Sequence, residues 1–108
     1  MSHIFISYSR KDLEHAGQIV QALAENHLDT WVDWKSIPKG EDWWERIQNG
    51  IEEADAFLFL VSPNSARSKV CRSEIAHAVL NGKRILPILL HDTDSKIIPA
   101  EIAKLNWI

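Results

Sequence analysis

Glu74 is the side chain in this sequence whose type and position could do chemistry. It lies in the segment Arg67–Asn81, whose residues have helical spacing and which stops at Gly82. At roughly 100° per residue, Cys71, Ile75, Ala78 and Val79 form one apolar face, and Glu74 falls on its flank, roughly 60° round from Cys71. An apolar run of strand length, Ala56–Val61, precedes it and is bounded by the turn pair Ser62-Pro63. A second apolar run, Ile85–Leu90, follows. Strand, helix and strand in that order predict a parallel pair joined by a right-handed crossover. A carboxylate about two turns into such a helix lies near the sheet, on the side where Val61 ends. Ligands of open α/β sheets bind beyond the carboxyl ends of the strands, and a partly desolvated carboxylate there suits chemistry. A solvated glutamate pairing with Lys or Arg one turn away is the structural alternative, and position alone favours it.

The elements that must carry Glu74 follow from periodicity. Ile4-Phe5-Ile6 reads as a first strand, and Ser7–Asp12 as its polar loop. Asp12 can cap a helix in the stretch Leu13–Leu28, where Leu13, Ala16, Ile19, Val20 and Leu23 supply the period and Asn26-His27 marks the C-terminal end. Leu28–Asp33 reads as a second strand, with Leu28, Thr30 and Val32 on one face and Trp31 on the other. Pro38 and Gly40 mark Trp34–Asp42 as a loop. Asp42 then caps a helix over Trp43–Ala54, with Trp44, Ile47 and Ile51 at helical spacing. Gly50 weakens that helix and suggests that another element approaches it closely. After Leu90 a polar loop leads to Leu105–Ile108, the start of a fifth strand.

The order βαβαβαβ, with strands apolar at nearly every position, predicts an α/β domain with cover on both faces of a parallel sheet. The expected fold is a flavodoxin-like doubly wound sheet, strand order 2-1-3-4-5, with the short apolar first strand central. Its crevice would open between strands one and three, between the loops Ser7–Asp12 and Ser62–Ser68. Tyr8, Ser9, Arg10 and Ser62 would supply donors suited to a phosphate- or ribose-bearing ligand.

Composition excludes several classes. The 108 residues make one domain, with 45% hydrophobic and 25% charged residues, ordinary for a soluble globular protein. A net charge of −3 with scattered basic residues gives no footing for nucleic acid or an anionic membrane. No apolar run reaches membrane-spanning length, and MSHIFISYS is too short and too lightly charged for a signal peptide. The single cysteine, Cys71, forms no internal disulfide and fits a reducing cytoplasm; it reads as a small packed hydrophobe. The five histidines show no metal-ligand spacing, so no metal site and no bound cofactor are expected. GxGxxG and GxxxxGK[ST] are both absent, against a dehydrogenase or P-loop enzyme. Ser7-Tyr8-Ser9 and Ser62-Pro63 stand where a phosphate-accepting regulator would want clustered carboxylates. No Ser-His-Asp or Cys-His arrangement can be placed.

Four stretches together resemble a TIR (Toll/interleukin-1 receptor) domain. HIFISYSR (His3–Arg10) looks like the family's first-strand box and WVDWKSIPKG (Trp31–Gly40) like its second. FLVSPNSARSKVCRSE (Phe59–Glu74) matches its SP-x-S-…-S-x-x-C-x-x-E pattern, and GKRILPIL (Gly82–Leu89) its fourth strand. They cover most of residues 1–108 in the right order. The wording FISYSRKD looks more like prokaryotic members than animal receptors.

The resemblance implies a cytoplasmic signalling domain that self-associates with other TIR domains, with the 34–42 loop as the moving part, and a partner sensor or effector domain. In many members it also implies cleavage of the nicotinamide–ribose bond of NAD, to linear or cyclic ADP-ribose, in prokaryotes often in defence against phage. NAD is then substrate. Glu74 stands where those members carry the catalytic glutamate, which reverses the preference for a solvated side chain. Tyr8, Ser9 and Arg10 correspond to a segment lining the nucleotide pocket; for Arg10 a surface charge near a helix start is the equal alternative. Trp43, off the core face on which Trp44 lies, is the better candidate to stack on a ring. Asp33 either hydrogen-bonds the ligand or anchors the loop. Ser68 and Cys71 complete the pattern as structural residues. The family's usual final helix is missing from the pattern, which would leave a sheet face uncovered and favour association. A non-catalytic adaptor docking through the 34–42 loop is the rival reading. A nucleoside-processing transferase of similar topology is a third; it explains Glu74 but leaves SYSR unexplained.

Overall fold

Four parallel strands form the sheet of the computed structural model, which describes residues 3–32 and 43–105. They are β1 (His3–Ser7), β2 (Asp29–Trp31), β3 (Ala56–Val61) and β4 (Arg84–Leu89), in the order β2-β1-β3-β4. The first strand is central, as its short apolar sequence predicts. The register runs from Ile4 opposite Ala56 to Ser7 opposite Phe59, and from Ala56 opposite Arg84 to Val61 opposite Leu89. Asp33, the 34–42 loop, Asp42 and residues 106–108, where a fifth strand is expected, lie outside the described residues.

Alternation along the strands sorts the core into two layers. Phe5, Phe57, Phe59 and Val61 face one side, with residues of α2 (Trp43–Glu53) and α4 (Lys69–Leu80). Ile6, Leu58 and Leu60 face the other, with Ala16, Ile19, Val20 and Leu23 of α1 (Leu13–Glu25). Trp31 and Val32 divide between the layers as their alternation predicts, and Trp44 packs against the first, as its spacing predicts.

The first helix ends at Glu25, where Asn26 closes it and His27 takes a left-handed φ of 62°, the end that Asn26-His27 marks in the sequence. Two stretches differ from the sequence reading, each for a local reason. The helix expected over Arg67–Asn81 is α4, and the stretch Ser62–Ser68, expected as a loop, carries a separate short helix before it. Pro63–Arg67 is a short α3, with Pro63 in its first turn and a reciprocal cap between Ser62 and Ser65. Ser68 then breaks it with an extended ψ of 124° and caps α4, accepting the N–H of Cys71 at 3.2 Å. The polar stretch after β4 carries a 3₁₀ turn (Ser95–Ile97) and a short α5 (Ala100–Ala103), whose Ile102 is buried in the first layer.

Gly50 marks a close approach of helix to sheet. A Cβ there would stand 2.7 Å from Cε2 and 2.8 Å from Cδ2 of the Trp31 indole. That indole has little room to retreat, because it stacks on Phe5 (centroids 4.9 Å apart, planes 14° apart), and Phe5 stacks on Phe57 (5.4 Å, 6°). Beyond Gly50, α2 is tied down by Lys83, whose ammonium donates to the carbonyls of Glu52 (2.6 Å) and Ala54 (2.9 Å). His77 Nε2 lies 2.7 Å from Glu52 Oε2 and joins α4 to the same end.

Gly50→Ala is accordingly expected to destabilise the domain. Alanine gains about 1 kcal/mol of helix propensity, but overpacking against a trapped ring costs about 1–3 kcal/mol. A lowered urea midpoint checks the sign. In a Trp31→Leu background, where the ring is gone, the same substitution should raise the midpoint.

Candidate functional site

β1 ends where its two faces carry different chemistry. Ser7 follows Phe5 on the α4 side, while Tyr8 turns to the α1 side and packs with Ile6, Ala16, Leu58 and Leu60. Ser7 is fully buried, and its hydroxyl donates to Oε1 of Glu74 at 2.8 Å. Glu74 itself is 3% exposed, which overturns the solvated alternative for this residue. The buried arc of α4 is Cys71, Glu74, Ile75 and Ala78, and Val79, expected on the apolar face, is 47% exposed. The helix is rolled so that the carboxylate faces in and the valine faces out. A buried carboxylate is tolerable only with hydrogen-bond donors around it, and the end of β1 supplies one.

A second buried carboxylate joins the loops on either side of the crevice. Asp12 holds the position before α1, but its side chain makes no capping bond. It accepts instead the Ser62 hydroxyl and, at 3.3 Å, the Asn64 side-chain amide. His91, just past β4, places Nε2 4.0 Å from its Oδ1, and the His91 ring meets His15 of α1 edge-on at 4.7 Å. Ser62 is bonded through both its hydroxyl and its backbone. Its hydroxyl accepts the Ser65 N–H (3.0 Å), its own N–H donates to Ser65 Oγ (2.9 Å), and Ser65 Oγ donates to the Leu60 carbonyl (2.7 Å). Side chains, with no glycine-rich turn, thus pin the loop after β3 to the loop after β1.

The residues singled out in the sequence separate in space. Glu74 stands at the carboxyl end of β1, close to the switch point where the order reverses between β1 and β3. Ser9 is half-buried and caps the 3₁₀ turn Arg10–Asp12, accepting the Lys11 N–H at 3.3 Å; Arg10 is exposed on that turn. Tyr8 is buried on the opposite side of the sheet from Glu74, and Ser62 is buried within the Asp12 clasp. Trp43 opens α2, but its side chain, like Asp33, lies outside the described residues. Ser7, Asp12 and Ser65 complete the buried polar set of the described residues, yet the sequence marks none of them as a site residue. Ser7 carries a usable signal, two places after Phe5 on an alternating strand. Asp12 carries none, because its partners Ser62 and Asn64 lie 50 and 52 residues away in sequence.

The arrangement puts a fixed carboxylate, held by a hydroxyl, under the ends of the central strands. Such a group can accept hydrogen bonds from ligand hydroxyls and oppose a positive charge that develops beside it. Among the described residues, no group of three or more His, Cys, Asp or Glu side chains could hold a metal ion, and no helix is long and apolar enough to cross a membrane.

Strand order, helices on both faces and a polar site at the switch point define a flavodoxin-like α/β domain. Residues 4–108 match the family model described as TIR domain, and the chain belongs to the TIR domain family, a family of signalling domains. Human Toll-like receptor 6 is 28% identical over 110 residues, covering 96% of this chain; the chain spans 14% of that receptor's length. The TIR domain of the Toll-related receptor TRR-2 from Hydra magnipapillata is similar with a TM-score of 0.84 at 20% identity, covering 97% of this chain and 81% of its own. The CMP N-glycosidase BcmB of Clostridium botulinum is similar in fold at a TM-score of 0.64 and 18% identity, over 82% of this chain and 71% of its own.

The clasp makes a stability prediction. Ser62→Ala removes a donor from buried Asp12 and should cost about 1–3 kcal/mol, as should Asp12→Ala. The double variant should lose less than the sum, since the two share a bond. Urea unfolding of the three proteins measures the coupling; strict additivity would mean the contact carries no energy of its own.

Proposed function

We propose that this TIR domain cleaves the nicotinamide–ribose bond of NAD, with Glu74 as the carboxylate that acts on the ribose. One observation carries the reading: Glu74 is buried at the carboxyl end of β1, beside the switch point where this class of sheet binds ligands. The fold shared with a CMP N-glycosidase is compatible with it, since that enzyme's name gives cleavage of a base–sugar bond.

The chemistry asks little of the protein beyond electrostatics. The C1′–N bond breaks with its electron pair going to the pyridine ring, so nicotinamide leaves neutral and needs no strong acid. The ribose gains oxocarbenium character, which an adjacent carboxylate opposes while it also holds the ribose hydroxyls. Water then adds to C1′ and loses a proton, giving linear ADP-ribose. Attack by a nucleophile within the same molecule gives a cyclic product.

In this reading Ser9, Arg10, Asp33 and Trp43 meet the nucleotide, and Tyr8 and Ser62 support those segments from within. The active form is an assembly of TIR domains in the cytoplasm, joined through the 34–42 loop, with a partner sensor or effector domain. A prokaryotic setting in immune defence is supported by the wording of FISYSRKD alone. The second reading, a non-catalytic adaptor, is favoured by the buried Ser7–Glu74 hydrogen bond, which would equally serve to dock α4 on the sheet.

Nicotinamide release from NAD, measured on concentrated or crowded protein, separates the two. Glu74→Gln and Glu74→Ala are expected to lower the rate at least ~100-fold. Unchanged release in both variants would remove Glu74 from the chemistry. No release from demonstrably assembled wild-type protein would leave the adaptor.

A further inference from the structure

We infer that Ser7 is a positioning residue for Glu74, an inference that rests on the proposed role of that carboxylate. Packing alone does not ask for a serine at this position. Phe5, Phe57, Phe59 and Val61, on the same side of the sheet, are all buried and apolar, and Ser7 sits opposite Phe59 in the β1–β3 register. A buried hydroxyl in such a row needs a partner, and Glu74 provides it at 2.8 Å.

The direction of the bond matters. A serine hydroxyl has one proton, and here it goes to the carboxylate, so Glu74 is the acceptor. Glutamate has three side-chain torsions, and ordering them is entropically unfavourable. A tie within α4 would leave the head group moving with its own helix. Ser7 belongs to the central strand, 67 residues away in sequence, so Oε1 is fixed relative to the sheet. Ser9 and Arg10 continue from that same strand. The hydroxyl therefore holds the carboxylate in register with the segment that would meet the nucleotide. It also offsets part of the unfavourable burial of a charge, without itself reacting.

The test is steady-state nicotinamide release by the assembled protein, with kcat and KM separated, and urea midpoints for every variant. Ser7→Ala is expected to lower kcat about 10- to 100-fold, the usual effect of removing an orienting partner, with KM little changed. Ser7→Cys, nearly the same size with a weaker donor, should fall between alanine and wild type. Ser7→Thr, which keeps the hydroxyl on a strand-compatible side chain, should recover most of the rate. A folded Ser7→Ala protein with wild-type kcat would overturn the inference while leaving the role of Glu74 intact. So would losses across the three variants that follow stability instead of donor strength. Absence of release from the assembled wild type, or release indifferent to Glu74→Gln, is a different failure: it removes the enzymatic reading and this inference with it.

Discussion

The pairing of β1 with β3 is the constraint on which the rest of this domain depends. Its register sets Ile4 against Ala56 and Ser7 against Phe59. It lays Phe5 beside Phe57 in the aromatic stack, and it ends β1 with a hydroxyl on the α4 side. It also brings the two following loops close enough for Asp12 to accept from Ser62. A slip of one residue would reverse the faces. Ser7 would point at α1, Tyr8 would meet α4, and both carboxylates would lose their partners.

The domain divides its chemistry along the strand axis. At the level of Phe5 the contacts are rings and aliphatic side chains, with Trp31, Phe5 and Phe57 in a row and Ile47 and Ile51 of α2 in the same layer. At the carboxyl ends the buried polar groups gather, Ser7, Asp12, Ser62, Ser65 and Glu74, beside the apolar Tyr8, Leu60 and Val61. Each of these polar groups takes part in a hydrogen bond to a residue elsewhere in the set or to nearby backbone. An apolar base fixes the strands, and a satisfied polar network above it fixes the loops. The rigid frame is what allows side chains from distant parts of the chain to meet at defined distances.

Much of this is legible in the sequence, and the limits have physical causes. The parallel sheet and its central first strand follow from apolar runs and their spacing, and Gly50 announces the approach that Trp31 makes. The break at Ser68 is not legible from periodicity, because capping serines read as ordinary polar residues inside a helical pattern. The roll of α4 escapes for a related reason. Counting apolar residues places Val79 inside and Glu74 on the flank, whereas the hydroxyl of Ser7 makes the carboxylate acceptable within. Asp12 reads as a cap, its commonest local role, but a partner 50 residues away claims its side chain. Long-range polar pairing leaves no local trace.

The contact between Gly50 and Trp31 also bears on how the sequence can change over time. The two positions share one small volume: the absent side chain of one is the space occupied by the ring of the other. Position 50 cannot drift independently of position 31. Lineages that enlarge position 50 must first shrink position 31, and those that retain the tryptophan are held to glycine. Enlargement at position 50 should therefore accompany loss of the tryptophan across relatives, as a record of helix and sheet in contact written in substitution patterns instead of coordinates.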